Sequence, residues 1–166
     1  DFKKLEHVSG HHIAAMSDEA LLAELAAFLK ATDQPALTPV QLQRLTPALG
    51  VLKQKARTLP QLLDQARFAL IDRPVAADDK ARAALDPVSV GILKDLTAAT
   101  QHVNWTRDDL EAAAQRMAES HGVGLGKIAA PLRAALAGRS STPSVFDMML
   151  ALGREETLAR LQDQAG

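Results

Sequence analysis

Apolar residues recur along this chain at spacings of three and four rather than two, the signature of helices that each bury one stripe. Leu21, Leu22, Leu25, Phe28 and Leu29 form such a stripe behind Ser17, an N-cap residue followed by Asp18 and Glu19 in the first turn. A second helix is expected to open at Thr38 with Pro39 and to bury Leu42 and Leu45. The pattern continues from Leu49 to Lys55 and from Leu59 to Ile71, the latter entered through Thr58 and Pro60. Thr106 precedes another helix, with Asp109 at capping-box spacing and Asp108, Asp109 and Glu111 placed where negative charge complements the helix dipole. Period-two runs, β-branched clusters and Asn-Gly hairpin turns are nearly missing, so the fold class is all-α.

The periodicity lapses between Asp72 and Asp79, where Arg73-Pro-Val-Ala-Ala-Asp78 brings a proline, small residues and acids. Two small helical modules are therefore expected, residues 1–73 and 80–166, with residues 74–79 as linker. No fixed period links them, which disfavours a solenoid. A chain of 166 residues, 47% hydrophobic, is long enough to bury a core, while a mean hydropathy of -0.05 without a long apolar run argues against a membrane span. The absence of cysteine removes disulfides, thiolate metal sites and a cysteine nucleophile together, and fits a cytoplasmic protein. No secretory or transit segment is visible, and a chain opening at Asp1 without methionine reads as a fragment.

The region richest in candidate chemistry joins two helices near the C-terminal end. Gly138 is placed to end the first helix in the left-handed conformation, and Thr142 with Pro143 is expected to cap and open the next. Ser140, Ser141 and Thr142 then stand beside unpaired helix N–H groups, with Arg133 and Arg139 as long-reaching donors. The net charge of -1 excludes a generally basic nucleic-acid binder, but from Gln115 to Ser140 four cations, Arg116, Lys127, Arg133 and Arg139, face Glu119 alone. Each candidate has a bland competitor, since solvated arginines and a Thr-Pro helix start are common.

Other constellations are weaker. His7, His11 and His12 lack the acidic residue at metalloprotease spacing, and no metal site is expected. His102 and His121 read as surface or cap residues. Gly122-Val-Gly-Leu-Gly126 follows no strand, so it reads as a helix break before Leu125 rather than a dinucleotide loop. Ser140 and Ser141 have no neighbouring base, and one Trp with four Phe and no Tyr leaves little for stacking many bases.

The segments Gly126-Lys-Ile-Ala-Ala-Pro-Leu-Arg-Ala-Ala-Leu-Ala-Gly138, Ser141-Thr-Pro-Ser-Val-Phe146 and Leu152-Gly-Arg-Glu-Glu-Thr-Leu-Ala-Arg-Leu161 resemble the C-terminal end of bacterial glutamyl-tRNA synthetases. Leu52-Lys-Gln-Lys-Ala-Arg-Thr-Leu59 and Trp105-Thr-Arg-Asp-Asp-Leu-Glu111 resemble earlier elements of that family. The resemblance implies a helical bundle followed by an α-helical anticodon-binding cage, the partner being the anticodon stem-loop of glutamate tRNA. It implies no DNA or membrane partner and a monomer. The family's ATP- and magnesium-dependent catalytic domain belongs upstream, so this segment is expected to bind tRNA, to hold no cofactor of its own and to be catalytically inactive. Two other classes stay open beside this one: a helical protein-interaction module, and a small metal-dependent enzyme using the N-terminal histidines.

By motif matching, Arg133, Thr142, Pro143 and Val145 fall where the family contacts the first two anticodon bases, with Lys127, Arg139 and Ser141 beside them. Lys55 aligns where family members that charge only glutamate tRNA usually carry arginine for the third base, unless the alignment slips by two and Arg57 takes that role. Lysine keeps the charge and loses the planar fork, so weaker discrimination against glutamine tRNA is implied. Arg154, taken to lie at the far end of its helix, is expected to matter less than Arg133.

Overall fold

The structure, a computed structural model, describes residues 10–166, with side chains from His12 onward. All regular structure among the described residues is helical, and none of these helices is long and apolar enough to cross a membrane. His7 lies outside the described residues and the side chain of His11 is not described; His12 is exposed. The chain divides into two compact units, residues 1–70 and 71–166.

In the first unit, α1 (Gly10–Ala15) packs against α4 (Leu49–Lys55), and α2 (Asp18–Ala31) carries the expected stripe, with Leu21, Leu25, Phe28 and Leu29 buried. Leu22 is half-buried. Ser17 caps α2 by accepting from the Ala20 N–H. Thr38 caps α3 (Pro39–Leu45) in a complete capping box with Gln41, whose amide also donates to the Leu70 carbonyl at 3.0 Å. A short 3₁₀ turn, Thr46–Ala48, leads into α4. Lys53 donates at 2.9 Å both to the Met16 carbonyl and to Asp18, tying α4 to the junction of α1 and α2.

The single helix expected from Leu59 to Ile71 is two. Thr58 caps α5 (Leu59–Gln65), the chain turns at Ala66, and α6 (Arg67–Leu70) follows. Ala66, Phe68 and Ala69 are all buried on either side of the break, so the shorter helices place apolar surface in the core.

In the second unit, Asp78 caps α7 (Asp79–Ala83) and Asp86 caps α8 (Pro87–Thr100). The Ser89 N–H bonded to Asp86, with Lys127 nearby, holds that carboxyl below its ordinary range. Thr106 caps α9 (Arg107–His121), which ends at Gly122 in the left-handed conformation; Gly124 then precedes α10 (Leu125–Ala137), the expected break. The last helix, α11 (Val145–Ala165), is interrupted at Gly153 (φ 81°, ψ 168°). α8, α10 and α11 pack against one another around Leu93, Leu96, Leu132, Leu136 and Met148, with α9 alongside.

Residues 71–78 are fastened along this second unit rather than standing off it. Val75 is buried and its carbonyl accepts from Gln164 at 3.3 Å, and Arg73 forks onto both oxygens of Asp163 at 2.8 Å.

Candidate nucleic-acid interface

The turn between α10 and α11 is built from its first residue. Gly138 ends α10 at φ 69°, donating to the Ala134 carbonyl, while its own carbonyl accepts from the Asp78 N–H at 2.9 Å. A Cβ at Gly138 would stand 2.2 Å from the Ala76 carbonyl oxygen, so the position demands glycine for space as well as for backbone conformation. Ser140 and Ser141 follow, both exposed; Arg139 is half-buried.

The helix start differs from the expectation. Thr142 does not cap and Pro143 is not the first helical residue: α11 begins at Val145, capped by Ser144, whose oxygen accepts from the Phe146 N–H at 3.3 Å. The Thr142 hydroxyl instead donates to the Pro143 carbonyl at 2.8 Å. Ser144 with Asp147 three residues on is a competing start signal, and tertiary contacts select it. Arg107 forms an ion pair with Asp147, reaches Ser144 Oγ at 3.5 Å and lies 5.9 Å from the Phe146 ring centroid. Burial opposes its charge, but Asp147 and Glu111 hold the guanidinium above its ordinary pKa. Arg107 gave no sequence signal beyond its place in a first turn.

Consequently Thr142 is half-buried and Pro143 and Val145 are buried, Val145 at 4% exposure. Of the turn, Ser140 and Ser141 are the exposed residues. Lys127 is exposed in the first turns of α10.

The cations of this unit fall into two kinds. Arg73, Arg82, Arg107, Arg154 and Arg160 are spent on internal partners. Arg154 in particular does not lie at a helix end but directly after the Gly153 break. There it donates to the Gln101 and Val103 carbonyls, with its guanidinium 5.3 Å from the Trp105 ring centroid. Arg133, half-buried on α10 about 7 Å of helix rise before Gly138, forms no hydrogen bond or ion pair among the described residues. A partly desolvated guanidinium without a protein acceptor is a donor available to a ligand.

In the first unit, Lys55 is exposed at the end of α4 and lines a cavity of about 460 Å³ with Ala56, Pro60, Gln61, Asp64 and Gln65. Arg57 is exposed and is not among the lining residues; its N–H donates to Gln61 Oε1 at 2.9 Å. Gln61 and Asp64 offer amide and carboxylate groups to this cavity that the motif match did not single out. Among the described residues no group of three or more His, Asp or Glu side chains is arranged to hold a metal ion.

Among curated proteins, the glutamate–tRNA ligase 2 of Paracoccus denitrificans is 70% identical over 166 residues, all of this chain and 36% of that protein. The glutamate–tRNA ligase 1 of Cereibacter sphaeroides is 58% identical over 165 residues, covering 99% of this chain and 35% of that protein. The chain thus spans about a third of the length of these relatives. Among solved structures, a glutamate tRNA ligase from Elizabethkingia meningosepticum, in complex with its amino acid, matches with a TM-score of 0.76 at 25% identity. That match covers 95% of this chain and 30% of the other. The model of one family, the anticodon binding domain, matches residues 16–165, nearly the whole chain, and the chain belongs to that family.

Proposed function

We propose that this chain reads the anticodon of glutamate tRNA as the C-terminal part of a glutamate–tRNA ligase, whose catalytic part joins glutamate to tRNA using ATP and magnesium in the cytoplasm. The observation that carries the reading is Arg133: a half-buried guanidinium with no acceptor among the described residues, on the helix that delivers the Gly138–Ser144 turn. An unstacked base brings hydrogen-bonding edges and a flanking phosphate, acceptors for such a fork and for the exposed Ser140 and Ser141. Pro143 and Val145 are buried beside the turn, and the Thr142 hydroxyl is engaged by the Pro143 carbonyl rather than free. Lys55 is the cation for a further base, because it and not Arg57 lines the cavity.

The test is binding of glutamate tRNA, glutamine tRNA and an unrelated tRNA at two salt concentrations. Preference for glutamate tRNA with affinity falling as salt rises is expected; equal affinity for all three defeats the reading.

A further inference from the structure

The motif running from Gly153 to Leu161 contains the most deeply placed charge among the described residues. Arg160 is 0% exposed. Its Nε donates to Glu156 Oε2 at 2.7 Å, one turn earlier on α11. Its Nη1 donates to the Leu136 carbonyl at 2.6 Å and its Nη2 to the Ile71 carbonyl at 2.9 Å. No buried side-chain nitrogen or oxygen among the described residues lacks a partner.

The two carbonyls come from meaningful places. Leu136 sits in the last turn of α10, one residue from its end and two before Gly138, where helix carbonyls have no intrahelical donor. Ile71 begins the segment that continues to Ala76 and Asp78, the residues pressed against Gly138. The guanidinium therefore pins both strands of chain that meet at the start of the turn, and its planar fork fixes their separation in a way a rotating ammonium does not. A buried ion pair is not in itself a strong source of stability, since hydrophobic replacement is often as good. Its value lies in specifying one arrangement.

We propose that Arg160, charge-balanced by Glu156, is a positioning residue that sets the place of the Gly138–Ser144 turn relative to Arg133, and through it the fit of the anticodon. The binding consequence rests on the anticodon reading above; the positioning does not.

The test uses the chain with Arg160→Lys, which keeps a buried charge and loses the fork, and Arg160→Met as a second variant. The control is Met117→Ala, a core truncation in α9 that leaves Arg160 and its partners in place. Amide NMR spectra and affinity for a glutamate-tRNA anticodon stem-loop are measured on each folded variant. Arg160→Lys is expected to shift the amides of residues 137–142 and to weaken binding about tenfold (~1.4 kcal/mol). Met117→Ala is expected to lose stability and bind within about twofold of the unsubstituted chain. Unmoved turn amides, or affinity of Arg160→Lys within about twofold, overturns the proposal. If the unsubstituted chain does not prefer the stem-loop over a scrambled one, the anticodon reading falls alone, and the amide shifts still decide whether Arg160 places the turn.

Discussion

The backbone N–H of Asp78 donates to the carbonyl of Gly138 across 60 positions of sequence, and Ala76, two residues earlier, fills the space that a side chain at Gly138 would need. The left-handed end of α10 is thus fixed from outside the helix as well as by its own conformation.

Gly138→Ala is the direct check. The left-handed conformation costs a non-glycine residue ~1–2 kcal/mol, and moving a backbone carbonyl out of a 2.2 Å approach adds to it. Thermal unfolding is expected to drop well below that of Gly126→Ala, which sits in a helix with open space around it. Equal melting of the two variants contradicts the packing described.

The cap assignment separates two neighbouring hydroxyls. Ser144→Ala is expected to cost about 1 kcal/mol of stability, the usual loss for an N-cap. Thr142→Ala, which loses a bond only to the adjacent Pro143 carbonyl, is expected to cost less. Urea titrations of both decide it, and a larger loss at Thr142 moves the helix start back to Pro143.

Arg133 and Arg154 should part company in kind. Arg133→Ala is expected to leave stability within about 0.5 kcal/mol while weakening tRNA binding and lowering the salt slope by about 1. Arg154→Ala strips donors from the Gln101 and Val103 carbonyls and is expected to destabilise by ~1–3 kcal/mol and to change Trp105 emission. Calorimetry beside tRNA titration distinguishes these patterns.

Restoring the fork at the cavity, Lys55→Arg, is expected to raise the preference for glutamate over glutamine tRNA. Competition binding with the two tRNAs reads this out. An unchanged ratio removes Lys55 from base discrimination.

Acid should act through Asp163. The Arg73 fork bonded to it holds its carboxyl below the ordinary value, so around the unfolded pKa of ~3.9 the unfolded chain binds more protons than the folded one. Stability from this pair is complete above that value and is lost as pH falls through the folded one. The urea midpoint of the second unit, followed on Trp105 between pH 5 and 2, should fall less steeply in Asp163→Asn. Identical slopes reject the contribution.

Helix starts were the most readable features, because a cap is a conversation within four residues. Ser17, Thr38, Thr58 and Thr106 all accept from a nearby N–H as their spacing suggests. Where two starts competed, the Arg107 contacts favour Ser144 over Thr142, while the breaks at Ala66 and Gly153 are not legible in the local pattern. The identity of cations near the turn was legible, but not their availability. Arg154 and Arg133 look alike in sequence, and only the fold reveals that one is spent on carbonyls 51 and 53 positions away. Arg160 was hidden for the same reason, with partners 24 and 89 residues off.

The pairing of Ile71, Arg73 and Val75 with Arg160, Asp163 and Gln164 makes the second unit close end to end. Synthesis from the N-terminus therefore delivers its first and last fasteners at opposite times: the opening segment waits for the final two turns of α11 before it can settle.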